Sequence, residues 1–299
     1  MSDEFRYPQE LLLRIKNRVS TVLPTVLSFK FNNLLDIKPP TIVKGSTHQA
    51  ETQGLCHGPD AGIISSVIAD MHSIFDDLAY TGPLRERPRR YYEASSEAPA
   101  SVGSRGENAP NILHRQFDSL DKRIGKWVRE FEFGDAIRLE DLSDDVFALQ
   151  FITRRPRSHT NIADAGFGAS QVLPLVVQAV ASTRDSLTIA EQPEIHLNPR
   201  LQTLLADLFV DMANRRRNVI VETHSEHFLL RLRRLVATGR IKNDRIALYY
   251  VEKRGGISQV RAVPIKPNGH IDTPDWPRGF FEEALRESLA LASVQSPTY

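Results

Sequence analysis

The chain is poor in several things, and each shortage excludes a class. Of 299 residues only Cys56 is cysteine, so there is no internal disulfide framework and a reducing compartment suits the chain. No apolar run approaches the roughly 18 residues of a membrane helix. The opening MSDEFRYPQE has acids and no apolar core, so a secretion signal is not expected. These points describe a soluble cytoplasmic protein with no membrane partner. Charge of one sign is also missing: 38 basic residues face 37 acidic ones, for a net charge of +1. Bulk charge therefore argues neither for nor against a nucleic-acid partner. What is present, 41% hydrophobic and 25% charged residues, suits an ordinary globular core.

Four segments follow from pattern. Residues 1–60 are irregular, with a helix expected over 9–20 and Pro24 stopping it. Lys44-Gly45-Ser46-Thr47 has the residue types of a phosphate loop in the wrong order and reads as a polar turn. Residues 61–145 form a helical, arginine-rich lobe. Helical spacing runs over 61–80, Gly82-Pro83 turns, and Arg85, Arg87, Arg89 and Arg90 follow. Such a cluster is either a solvated loop or an anion-facing one. A polar loop over 94–110 precedes a helix over 111–131.

Residues 146–263 carry the strongest alternation of strand and helix. Strands are expected at 147–152, 187–191, 218–221, 245–252 and 257–263, and helices at 172–180, 199–213 and 226–237. A tail, 264–299, ends in a short helix to about Leu291. The fold class is α/β with a mostly parallel sheet.

The organising stretch is Ser186–Pro199, SLTIAEQPEIHLNP. A short apolar strand delivers Glu191 to a sheet edge just before a turn and a helix, the layout of a Mg²⁺-nucleotide site in an open α/β sheet. Some twenty residues earlier, Gly166-Phe167-Gly168-Ala169-Ser170-Gln171 opens an apolar helix. Glycines let backbone N–H groups face a ligand, and a helix N-terminus favours an anion. A second buried strand, 218–221, runs into Glu222-Thr223-His224-Ser225. His224, Glu226 and His227 lack metal-motif spacing, so capping or surface roles are the expectation there.

In this order the three motifs resemble the core of ABC-class ATPases, in the branch with the structural-maintenance, RecF-like and OLD (overcoming lysogenisation defect) ATPases. The match looks best to a bacterial AAA-type family with an uncharacterised C-terminal tail. It covers roughly residues 80–285, including Gly82-Pro83-Leu84-Arg85 and Gly279-Phe280-Phe281. The resemblance implies a P-loop NTPase-like core using ATP and Mg²⁺. Gly166, Gly168, Ser170 and Gln171 are similar to the signature loop, with Ser170 reaching the γ-phosphate held by an opposite protomer. Glu191 falls at the Walker B position and would hold Mg²⁺ through its water shell; the usual residue is one methylene shorter. Gln192 falls where a catalytic glutamate is common; a glutamine orients water but takes no proton from it. Glu194 is an acid that would substitute for it. His196 and Asn198 resemble the D-loop at the dimer interface. His224 matches the switch histidine that would sense the γ-phosphate.

One absence matters most. No G-x-x-x-x-G-K-[ST] occurs, and the only lysine after a glycine is Lys126. The resemblance implies an α/β core incomplete at its N-terminus and a homodimer or complex with a Walker A-bearing chain. A separate chain completing the site, a full-length ATPase pairing through Ser170, and a truncated remnant all fit. Each predicts poor hydrolysis by the chain alone. Work on DNA or in phage defence follows by analogy only. The rival expectation is an inactive partner or regulator with a DNA- or RNA-binding face made by Arg85–Arg90, Arg215–Arg217 and Arg231–Arg234.

Overall fold

The structure, a computed structural model, describes residues 78–272 and 282–295. The expected helix 9–20, the turn at Lys44–Thr47, Cys56 and residues 61–77 of the expected helix 61–80 lie outside the described residues. The end of that last helix is corrected. Leu78–Thr81 is a strand, β1, because it pairs along its whole length with a second strand and tertiary pairing overrides local spacing.

The chain continues through β2 (Tyr92–Glu93), α1 (Ala109–Glu130), β3 (Ala136–Ser143), β4 (Val146–Arg154), β5 (Arg157–Asn161), α2 (Phe167–Ala181) and β6 (Leu187–Glu191). It then runs through α3 (Pro199–Asn214), β7 (Asn218–Glu222), α4 (Glu226–Ala237), β8 (Tyr249–Arg254), β9 (Ile257–Ala262) and α5 (Glu282–Gln295).

Among the described residues the strands form three sheets. One is parallel, in the order β1-β6-β7. A second is antiparallel, with β4 between β3 and both β2 and β5. The third is the hairpin β8-β9. The division expected at 145/146 falls in the β3–β4 turn, and β1 joins the sheet of β6, so segments 61–145 and 146–263 share two sheets. The strand expected over 245–252 begins at Tyr249, after a short 3₁₀ turn over Asn243–Arg245.

The core is built around α2. Every residue from Ala169 to Val180 is buried, as expected of a helix that is apolar all round. Burying each such large side chain contributes about 1.5–3 kcal/mol relative to exposure. α1 packs on α2 and β3, and α3 packs on α2, α4 and β7. Gly106 lets the loop before α1 approach α2. Its φ is +75°, and a Cβ there would sit 2.6 Å from Cβ of Pro174. Side-chain caps set the starts of the two later helices. Asn198 accepts the Leu201 N–H at 3.0 Å before α3, and Ser225 accepts the Phe228 N–H at 3.0 Å before α4.

The parallel sheet has two unlike faces. One carries Ala79, Thr81, Thr188 and Ala190, all buried. The other carries Leu78, Tyr80, Leu187, Ile189 and Ile220, which are half-buried or exposed; Ile220 is 42% exposed.

Candidate functional site

The site is the carboxyl end of the parallel sheet, where three loops leave β1, β6 and β7. Strand register places Glu191 opposite Glu222. Two carboxylates in register repel unless a donor or cation joins them. One donor is in place: Tyr80 donates its hydroxyl to Oε2 of Glu191 at 2.8 Å. Burial, then the Glu191 carboxylate, raises the Tyr80 hydroxyl above the ordinary phenol range.

Below this edge lies Arg85, buried at 5% exposure. Its Nη2 donates to the Glu191 carbonyl at 3.3 Å, while Nε and Nη1 have no hydrogen-bond partner. Burial lowers the guanidinium to about 10, and the charge of Glu194 works against that drop. Glu194 is buried too. Its Oε1 accepts the His224 backbone N–H at 2.7 Å, and its Oε2 has no partner. Glu194 therefore grips the loop after β7 and is not open to solvent water.

The loop after β6 is strained at two positions. Gln192 has φ +42° and His196 φ +64°, both left-handed. Such outliers persist where surrounding contacts over-determine them and cluster at functional sites. The Gln192 N–H donates to the Glu222 carbonyl at 2.8 Å, which holds the turn. His196 is exposed and stands edge-on to Phe167, with ring centroids 4.6 Å apart. Asn198 is used as the α3 cap. His224 is exposed beside the edge.

The glycine-rich turn sits on the other side of this loop. Gly166 is exposed at the start of α2, and a Cβ at Gly168 would lie 3.4 Å from Leu197. Ser170 and Gln171 point inward. Ser170 is buried and donates its hydroxyl to the Phe167 carbonyl at 2.7 Å; Gln171 is buried with Nε2 unpartnered. In this conformation the Ser170 hydroxyl faces its own helix, so reaching a ligand requires it to rotate. Pro174 cannot donate to the Ser170 carbonyl, which leaves the first turn of α2 without one helical bond.

The arginines expected to form a nucleic-acid face are largely engaged within the chain. Arg90 makes a bidentate pair with Asp164, Arg231 with Asp207, Arg215 bonds Asp211, Arg216 meets Asp185, and Arg217 bonds the Ala179 carbonyl. Among the described residues no group of three or more His, Cys, Asp or Glu is arranged to hold a metal, and His224, Glu226 and His227 do not form one. A site made only of protein ligands is thus not built among them. Paired oxygen donors at a strand end do suit Mg²⁺, which keeps several waters and binds through one or two carboxylates plus substrate phosphates.

Sequence reasoning finds Glu191, Gln192, Glu194, His196 and His224 at one edge. It does not assign Tyr80 or Glu222, and it takes Arg85 as part of a surface cluster. Glu222 has a signal, an acid at the end of a second apolar strand. Tyr80 and Arg85 have none until β1 is recognised as a strand.

Two family models match the chain, the first of them over most of this geometry. Residues 106–229 match the AAA ATPase domain family. Residues 241–291 match a protein family of unknown function, DUF3696. The first match spans α1, the glycine-rich turn, the Glu191 edge and the start of α4. It agrees with the expected fold class, α/β of the P-loop NTPase kind with a parallel sheet and flanking helices. No curated protein matches the chain. Among solved structures, one described for ATP-driven dimerisation and DNA-stimulated activation of SMC ATPases shares 14% identity at a TM-score of 0.39, over 63% of this chain and 99% of that one. A Pyrococcus furiosus Smc head with extended coiled coil, bound to the C-terminal domain of ScpA, shares 13% at 0.37, over 62% of this chain and 40% of that one. An SmcHead bound to the C-winged helix domain of ScpA shares 13% at 0.38, over 60% of this chain and 48% of that one. The chain thus spans under half the length of the last two. Among the described residues no helix is long and apolar enough to cross a membrane.

Proposed function

We propose that this chain is the Walker B, signature and switch portion of an ABC-class ATPase of the OLD/RecF/SMC-like branch. ATP and Mg²⁺ bind at the Glu191–Glu222 edge, in a homodimer or complex with a phosphate loop carried on another chain or a further stretch of polypeptide. The observation that carries this is the pair of in-register strand-end carboxylates, bordered by His224, within the segment matching an ATPase domain. Mg²⁺ would supply charge neutralisation of the phosphates and a fixed water shell. Glu191, with Glu222 beside it, would hold that shell through its oxygens, and Tyr80, which donates to Glu191, borders it. Gln192 would orient the attacking water without accepting its proton. His224 would donate to the γ-phosphate, held in place by the Glu194–His224 bond. The exposed backbone of Gly166 and Phe167, at the start of α2, would face the phosphates of a second nucleotide in trans.

A second feature supports the composite arrangement. Parallel sheets in α/β folds bury both faces. Here the described residues cover the Leu78, Tyr80, Ile189 and Ile220 face only in part, which is compatible with a further layer there. The test is steady-state ATP hydrolysis by the purified chain. The proposal expects turnover near background. Robust Mg²⁺-dependent turnover abolished by Glu191→Ala would overturn the need for a phosphate loop from elsewhere.

A second reading rests on a separate observation. The outer face of the antiparallel sheet carries Arg138, Arg154, Arg157 and His159, all exposed, with Arg154 directly opposite Arg157. Like charges opposite each other destabilise a sheet unless an anion lies over them. The face holds no Phe, Tyr or Trp for base stacking, which favours the backbone of duplex DNA over single strands. This is the DNA-binding partner function, relocated from the engaged arginines. Duplex binding should weaken with salt. The salt slope should fall by about 0.9 for each phosphate left unneutralised when Arg138, Arg154 and Arg157 are changed to Ala. Equal binding by that variant, or none by the wild type at low salt, contradicts it.

A further inference from the structure

Both sides of the proposed nucleotide site are tied to one short segment, Gly82–Arg90. At its start, the Gly82 N–H donates to the Ser104 carbonyl at 2.7 Å and the Glu86 N–H to the Arg105 carbonyl at 2.8 Å, which anchors it to the loop before α1. In its middle, Arg85 is buried against the end of β6, on the Glu191 carbonyl and facing the Glu194 charge. Glu194, whose charge acts on that guanidinium, accepts the His224 backbone N–H from the next loop. Two residues on, the Arg87 guanidinium lies 6.0 Å from the Phe167 ring centroid, at the glycine-rich turn, and Phe167 in turn meets His196. At its end, Arg90 grips Asp164 with bonds of 2.7 and 3.0 Å, and its carbonyl accepts from Asn161 at 2.8 Å.

The cost of this arrangement is visible. A buried guanidinium with two unpartnered nitrogens, facing a buried carboxylate with one unpartnered oxygen, is unfavourable by itself. A methionine would fill that space without a buried guanidinium, but it would leave the buried Glu194 charge uncompensated and the Glu191 carbonyl without this donor. The charge at Arg85 is therefore better explained by what it holds than by packing.

We infer that Gly82–Arg90 is a cross-brace that fixes the carboxylate edge and the glycine-rich turn relative to each other, with Arg85 and Arg90 as its positioning residues. Arg85 sets the loops after β6 and β7, and Arg90 sets the turn before α2. The two half-sites are then energetically coupled, and a displacement of either is transmitted to the other. The meaning of this brace for ATP chemistry rests on the function proposed above; the brace itself does not.

Hydrogen–deuterium exchange on the full chain without nucleotide tests it. Arg85→Met should speed exchange about fivefold or more in residues 222–225 and also in residues 164–170. Arg90→Met should do the same at both places, and Arg85→Lys, which keeps the charge, should stay close to wild type. Exchange in β4 serves as the check on folding. If Arg85→Met loosens β4 as well, Asp164→Asn, a surface change that weakens only the Arg90 pair, replaces it and should still speed exchange at 222–225. The brace is overturned if each variant acts only beside itself, or if Arg85→Lys exchanges as fast as Arg85→Met. Because no nucleotide is used, a negative result leaves the ATP site standing, and failure to bind ATP leaves the brace standing.

Discussion

Gln192 shows how one residue carries the character of this site. A glutamine at φ +42° stores a strain of about 1–3 kcal/mol in its left-handed backbone. It sits where the chain turns back towards Glu222, its N–H on the Glu222 carbonyl. Two substitutions separate geometry from chemistry. Gln192→Gly relieves the strain but adds unfolded-state freedom, so stability should stay within about 0.5 kcal/mol of wild type. Gln192→Val puts a β-branched side chain in the same backbone and should cost about 1–3 kcal/mol. Urea unfolding of both checks this; equal stability of the two variants would mean the left-handed turn is not fixed. Glu194 belongs to the same scale. Its place in the sequence suggests a spare acid, whereas its burial and its bond to the His224 N–H favour a holding role.

At the scale of elements, the helices over the parallel sheet are stapled as well as packed. Arg231 of α4 holds Asp207 of α3 with bonds of 2.8 and 3.0 Å, both side chains partly buried. Asp207→Ala removes both bonds and leaves the guanidinium unpaired, so it should cost about 1–3 kcal/mol. For a domain of this size each kcal/mol lowers Tm by about 2–4 °C, which thermal unfolding reads directly. The helices are also the most legible part of the sequence. Sequence pattern places α4 and β6 at their observed bounds and α3 nearly so, because apolar patterns and Asn, Pro and Ser caps mark them locally. β3 and β5 escape such a reading. Their outward faces are charged (Arg138 and Glu140; Arg157 and His159), so little of either reads as a buried strand. β1 looks helical because four residues gain strand character only from pairing with β6. The same long-range pairing brings Tyr80 and Arg85 to Glu191, across more than a hundred positions of sequence. No local pattern encodes that approach.

At the scale of the whole molecule, the described residues present a carboxylate edge, a glycine-rich turn and one partly covered sheet face. The Glu191–Glu222 edge and the glycine-rich turn lie on opposite sides of the loop after β6, joined through Gly82–Arg90. The apolar face of the parallel sheet, half-covered by the described residues, is consistent with the composite site proposed above. The central claim is that nucleotide engages that particular edge. The most direct measurement is a titration of the full chain with millimolar Mg²⁺·ATP, followed by backbone amide signals. Signals of residues 191–194 and 222–225 should shift together and saturate. Glu191→Ala and His224→Ala should each weaken the response about tenfold, equivalent to about 1.4 kcal/mol. Shifts confined to other regions, or a response unchanged in both variants, would contradict the claim.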